Sequence, residues 1–89
     1  MFFVGLARFR KKPSKEFLEN AGKLVESPPP GIKAHNVFWT LGRFDSVIIF
    51  EAPDEKAALK MAIPVSEYMA TETMTAITRE EALKLMETA

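Results

Sequence analysis

The 89-residue sequence predicts an α+β fold in which an antiparallel four-stranded sheet carries helices on one face. Three observations lead to it. Apolar runs of strand-like composition alternate with segments of helical periodicity. A Gly-Arg pair joins the two middle runs as a hairpin. Pro13, the Pro28-Pro29-Pro30 run, Pro53 and Pro64 stand where one period gives way to another.

Met1–Arg10 holds Phe, Val and Leu on both alternating faces, the pattern of a central strand covered on both sides. Pro13 breaks this run, and Ser14 is placed to accept from N–H groups of the next turn. Phe17, Leu18, Ala21, Leu24 and Val25 then recur at helical spacing, which predicts a helix from Lys15 to Glu26. The three prolines and Gly31 end it in a stiff, extended connection. Ile32–Leu41 and Phe44–Ala52 read as strands, and the intervening Gly42-Arg43 suits a type II′ turn. If Leu41 faces Phe44, then His35 faces Phe50. His35, Val37, Trp39, Leu41, Phe44, Ser46, Ile48 and Phe50 then lie under the helices, while Ala34, Asn36, Phe38, Thr40, Asp45, Val47, Ile49 and Glu51 lie on the opposite face. Pro53-Asp54 opens a second helix with Ala58, Met61, Ala62 and Val65 along one stripe, kinked or ended by Pro64. Met69–Ile77, rich in Thr, reads as a fourth strand. Thr78-Arg79-Glu80-Glu81 is a capping box that starts a terminal helix presenting Ala82, Leu85, Met86 and Ala89.

The order strand, helix, strand, strand, helix, strand is the ferredoxin-like βαββαβ arrangement, here in one domain over residues 1–89 with an extra C-terminal helix. Right-handed crossovers place both main helices on one face of the sheet. The other face, with Phe38, Val47 and Ile49, is left bare, and its apolar patch is larger than a monomer tolerates. Sheet-to-sheet pairing of two copies, a dimeric α+β barrel, would cover it.

Composition points the same way. A chain this short buries only about 60 to 65% of its unfolded surface. With no Cys and one His, disulfide frameworks and ordinary zinc sites are excluded. Partner chains remain as the source of extra stability, so a homodimer or higher homo-oligomer is expected, with no metal site and no cofactor. Twelve Lys and Arg balance twelve Asp and Glu, leaving no basic surface for nucleic acid. The apolar opening Met1–Ala7 is too short to span a membrane. Its basic residues, Arg8, Arg10, Lys11 and Lys12, follow the apolar stretch, the reverse of a signal peptide, so no membrane partner and a cytoplasmic location are expected.

The run Phe38-Trp39-Thr40-Leu41-Gly42-Arg43-Phe44-Asp45, with the apolar strand ending Phe50-Glu51-Ala52-Pro53-Asp54, resembles the GYD domain family. The likeness extends through Thr71-Glu72-Thr73-Met74 and Ile77-Thr78 and covers most of the chain. The Gly, Tyr and Asp of the family's name fall on Gly42, Phe44 and Asp45. Phe stands in place of Tyr, so no phenol hydroxyl acts at that position. The resemblance implies a small ferredoxin-like chain related to the dimeric α+β barrels, some of which oxidise or isomerise small substrates without a bound cofactor.

Four residues are candidates for ligand binding: His35, Trp39, Arg43 and Asp45. His35 is the one side chain that titrates near neutrality, the first place to look for an acid or base. The expected pairing turns Glu51 to the opposite face, which implies no dyad and favours an ordinary strand histidine. Trp39 can wall a pocket or simply pack in the core. Arg43 at the turn tip can clamp a carboxylate, that of Asp45 or of a neighbouring subunit. Asp45 needs a donor and is most simply a partnered charge that fixes register. Glu51 and Glu72 offer a weaker carboxylate pair. Met61, Met69, Met74 and Met86 read as adaptable core filler, and Lys11, Lys12 and Lys15 as a solvated corner. There is no phosphate-cradling glycine loop and no Ser-His-Asp or Cys-His set.

The leading expectation is a small apolar molecule bound between sheet and helices, in a cleft bounded by Trp39 and His35. One competitor is a cofactor-independent oxygenase or isomerase with His35 as acid or base, Trp39 as platform and Asn36 or Arg43 stabilising an anion. The other is an interaction module using Gly42-Arg43 and the proline run.

Overall fold

A computed structural model describes residues 1–88. Its elements run β1 (Phe2–Phe9), α1 (Lys15–Glu26), β2 (Lys33–Trp39), β3 (Ser46–Glu51), α2 (Glu55–Ala62), a single 3₁₀ turn (Ile63–Val65), β4 (Met69–Ala76) and α3 (Arg79–Thr88). The four strands form one antiparallel sheet in the order β2-β3-β1-β4, with β1 central, as its two-sided apolar pattern predicts. This is the ferredoxin-like arrangement with an appended helix.

Local chemistry sets the helix ends. Ser14 Oγ accepts from the Phe17 N–H at 3.0 Å and Asp54 Oδ1 from the Ala57 N–H at 2.8 Å, each satisfying a donor that the first turn leaves free. Thr78 Oγ1 accepts from the Glu81 N–H at 3.1 Å, half of the predicted capping box. Gly31, just past the proline run, has φ +85°, a conformation that glycine adopts without a Cβ penalty. Pro64 sits inside the 3₁₀ turn, where it ends α2 rather than kinking it.

Cross-strand register sorts the sheet into two faces. On the helix side, Trp39, Ser46, Ala7 and Thr71 form one row, and Val37, Ile48, Gly5 and Thr73 the next. The core lies between this side and the helices: Phe3, Phe50, Ile32, Ala57, Ala58 and Met61 in one cluster, Ala7, Phe17 and Met69 in a second. Phe3 and Phe50 stack at 5.4 Å between ring centroids. Gly5 is required on β1, because a Cβ there would stand 2.9 Å from Ile48 Cγ2.

The opposite face carries Val4, Leu6, Val47 and Ile49, flanked by Phe38 and Met74, which are 51% and 48% exposed. No helix covers it among the described residues. The C-terminal helix α3 buries none of its side chains, and Leu83, Leu85 and Met86 are exposed. Ala89, expected on its apolar stripe, lies outside the described residues.

Three expectations need correction. First, the Trp39–Ser46 and Val37–Ile48 pairing is as predicted, but a β-bulge between Ala34 and Asn36 shifts the register, so that Ala34 rather than His35 faces Phe50. An extra residue in a strand exchanges the faces of everything before it. Ala34 therefore turns to the helix side and His35 to the bare side. Second, Gly42-Arg43 is not a two-residue turn. The strands end at Trp39 and Ser46, and the loop of residues 40–45 is closed by Thr40 N–H donating to the Asp45 carbonyl at 2.9 Å and Thr40 Oγ1 to the Phe44 carbonyl at 2.7 Å. Gly42 keeps the positive φ, +102°, that the turn reading required, and Leu41 is fully exposed rather than under a helix. Third, Met61 and Met69 are core residues, whereas Met74 and Met86 are on the surface. Among the described residues no helix is long and apolar enough to cross a membrane.

Candidate functional site

The side chains of β1 that face the helices are, in order, Phe3, Gly5, Ala7 and Phe9. Ile48 leans over Gly5, so the floor of the sheet dips at Ala7. Above it α1 presents Ala21 and Gly22, where a Cβ added to Gly22 would meet nothing within 4 Å. Small residues from two elements distant in sequence thus face each other, and the space between them is a cleft of about 350 Å³. Val37 and Ile48 extend its floor, Leu18 and Val25 of α1 and Met61 and Val65 after it complete its walls, and Ser46, Thr71 and Thr73 supply hydroxyls.

Trp39 and Phe17 line one end and belong to a chain of stacked aromatic rings. The Trp39 and Phe9 rings stack at 5.9 Å with planes 20° apart, Phe9 meets the edge of Phe17 at 6.4 Å, and Phe17 stacks on Tyr68 at 4.4 Å. Lys11 Nζ lies 4.4 Å from the Tyr68 ring centroid and 3.2 Å from Glu67 Oε1, so this member of the lysine corner seals the outer end of the wall.

Of the four residues read from the sequence, Trp39 lines the cleft, its ring leaning inward over Phe9 while the residue stays 65% exposed. Asp45 acts from behind. Its Oδ2 accepts from the Phe9 N–H at 2.8 Å, and its own N–H donates to the Ala7 carbonyl at 2.8 Å. The carboxylate therefore has the donor it was expected to need, and its partner is the strand that carries Ala7 and Phe9. Arg43 lies over the Phe44 ring at 5.5 Å instead of on the Asp45 carboxylate.

His35 is on the other side of the sheet. Its Nε2 stands 3.0 Å from Glu51 Oε2, and its ring packs on Phe2 at 5.6 Å. The expectation of no dyad is overturned by the bulge, which brings His35 onto the face of Glu51. The same change removes His35 from the cleft, so an acid or base at His35 and a platform at Trp39 do not share one site. Glu51 and Glu72 form no pair, because β1 separates their strands and they stand opposite Phe2 and Leu6 respectively.

The sequence reading missed Phe9, Phe17 and Tyr68 as a wall and Ser46, Thr71 and Thr73 as polar points. The alternation of Thr71, Thr73 and Thr75 was a usable signal, since equal spacing of two puts all three on one face. A second hollow of about 580 Å³, between α1 and the 3₁₀ turn, is lined by Glu16, Asn20, Lys23 and Glu67 as much as by apolar groups. Among the described residues no cluster of three His, Cys, Asp or Glu stands ready to hold a metal.

No curated protein and no solved structure matches this chain. The sequence model of the GYD domain matches residues 5–86, from within β1 to near the end of α3. The chain belongs to the GYD domain family.

Proposed function

We propose that the protein binds a small, largely apolar molecule in the cleft between its sheet and helices. The observation that carries this reading is the hollow between Ala7 of the sheet and Gly22 of α1, about 350 Å³. Protein interiors are packed to crystal-like density with few voids larger than a water molecule. A sequence selected for stability alone would fill the hollow from Ala7 or Gly22. Its volume falls in the range of small-molecule sites, and its lining matches them too, apolar with a few hydroxyls. The ionisable side chain in the lining is Glu26, at the end of α1, which supports binding over acid–base turnover at this place.

Trp39 reports on the site because its ring forms part of the wall. A set of aromatic and aliphatic compounds should contain members that change Trp39 emission and raise the unfolding midpoint, by about 2.7 kcal/mol of stability at one hundred times Kd. Ala7→Leu, which extends a side chain into the hollow, should abolish both effects with the fold retained. A wild-type protein that shows neither effect with any compound ends this reading.

A second reading concerns assembly. We propose that the bare sheet face is where two copies meet, forming a dimeric barrel. The whole face measures about 500 Å² in projection from four strand spacings and the strand rise, and its apolar centre of Val4, Leu6, Val47 and Ile49 is of the size that on monomers is often functional. A face with an apolar centre and, at its margins, Lys33 and His35 beside Glu51 and Glu72 has no strong charge of one sign and can pair with itself through a two-fold axis, and a second copy of this chain is the partner at hand.

A further inference from the structure

Resting on the binding reading, we infer that the cleft is built for an uncharged, flat, two-ring aromatic molecule with one hydrogen-bonding oxygen directed at β4. Size comes first. A dry protein cavity of about 150 Å³ accepts one benzene; this cleft, at about 350 Å³, has room for two fused rings. Shape follows from the floor and the wall. The floor is a sheet surface kept low by Ala7, and at one end Trp39, its ring backed by the stacked Phe9, and Phe17 line the cleft with aromatic surface. A planar ring system matches both, whereas a branched or saturated one of equal volume does not.

Polarity is set by β4. Thr71 stands beside Ala7 and Thr73 beside Gly5, so both residues line the hollow from the exposed edge strand, about one strand spacing, ~4.8 Å, from β1. Thr40, Thr78 and Thr88 engage their hydroxyls with the chain's own backbone. Those of Thr71 and Thr73 have no such partner among the described residues. A hydroxyl both donates and accepts, so two of them can hold a phenolic O–H or a ring carbonyl equally well. Charge is decided by the lining, which contains no Lys, Arg or His among the described residues and has Glu26 at its edge. An anionic ligand would lose its hydration without a counter-charge.

Calorimetric titration of the full chain at pH 7 with phenol, naphthalene, 2-naphthol and 2-naphthoate tests each element. 2-Naphthol should bind about fivefold more tightly than naphthalene, the worth of one net hydrogen bond. It should also bind about tenfold more tightly than phenol, for the extra ring buried, and at least about tenfold more tightly than 2-naphthoate. The double variant Thr71→Val with Thr73→Val should equalise 2-naphthol and naphthalene while keeping naphthalene affinity, and Thr71→Ser with Thr73→Ser should restore the difference. Equal binding of naphthalene and 2-naphthol to the wild type, a preference that survives in the valine variant, or 2-naphthoate binding as well as 2-naphthol overturns the inference while the cleft remains a binding site. If none of the four binds, the inference is overturned, and the binding reading falls only if the wider aromatic and aliphatic set also leaves Trp39 emission and the unfolding midpoint unchanged.

Discussion

Asp45 shows how one side chain can organise a site that it does not line. Its carboxylate and its own N–H both bond to β1, at Phe9 and Ala7, and so fix the hairpin loop against the strand that floors the cleft. Asp45→Ala removes a charge-assisted acceptor and leaves the part-buried Phe9 N–H without its partner. The expected cost is about 1 to 3 kcal/mol in urea denaturation, together with a shift in Trp39 emission as Phe9 loosens beneath it. Asp45→Asn, which keeps an acceptor oxygen, should lose less. Equal stability of the alanine variant and the wild type would show that the loop is held by other contacts. The sequence disclosed that Asp45 needed a donor, because a half-buried carboxylate always does. It did not disclose which donor, because the bond joins residues 36 apart and depends on the β1–β3 register, which the hairpin alone cannot set. His35 was misplaced for a related reason. Nothing in Lys33-Ala34-His35-Asn36 marks a bulge, and a single unmarked insertion reverses the face of every residue before it.

At the scale of elements, what is governed by neighbours in sequence was legible. The Lys15–Glu26 helix and its Ser14 cap are set within one turn of chain, and so are the Asp54 and Thr78 caps. Ser14→Ala should therefore cost about 1 kcal/mol, with little change in Trp39 emission; a negligible loss in chemical denaturation would mean that the α1 end frays regardless of its cap. The hairpin reading differs because the Thr40 hydroxyl donates to the Phe44 carbonyl inside the loop while the Asp45 carboxylate and N–H bond to β1, which draws the strand ends back to Trp39 and Ser46. A type II′ turn between Leu41 and Phe44 would have required those groups in the ladder. The helix α3 was legible as a helix but not as an unpacked one, since amphipathic spacing says that a face is apolar and not what meets it. Because α3 buries no side chain, a chain ending at Thr78 should keep its sheet, its cleft and its Trp39 spectrum. A truncated chain that unfolds would assign α3 a stabilising contact outside the single chain.

For the whole molecule, the sequence carries the order of elements and hence the ferredoxin-like topology, since handedness and short connections leave few alternatives. The cleft was not legible in detail. It arises because Gly5 and Ala7 come to lie beneath Ala21 and Gly22, a coincidence of two local patterns that only tertiary packing brings together. The bare face was legible, because alternation along β3 places Val47 and Ile49 opposite the helix-facing Ile48 and Phe50. It is also where the proposed assembly can be tested without disturbing the cleft. Phe38 is half exposed and Ile49 is part-exposed on the same uncovered side, so replacements at both put charge on that face without entering the cleft. In sedimentation at low micromolar concentration the wild type should run as a dimer. Phe38→Lys with Ile49→Lys should run as a monomer, because like charges on a face that must meet its own copy repel across the two-fold axis. The variant should retain its far-UV spectrum and any ligand-induced change in Trp39 emission, since the cleft opens on the other side of the sheet. A wild type that sediments as single chains, or a charged variant that still pairs, removes the barrel from this account. Either result leaves the cleft intact, because its floor, walls and hydroxyls all come from one copy of the chain.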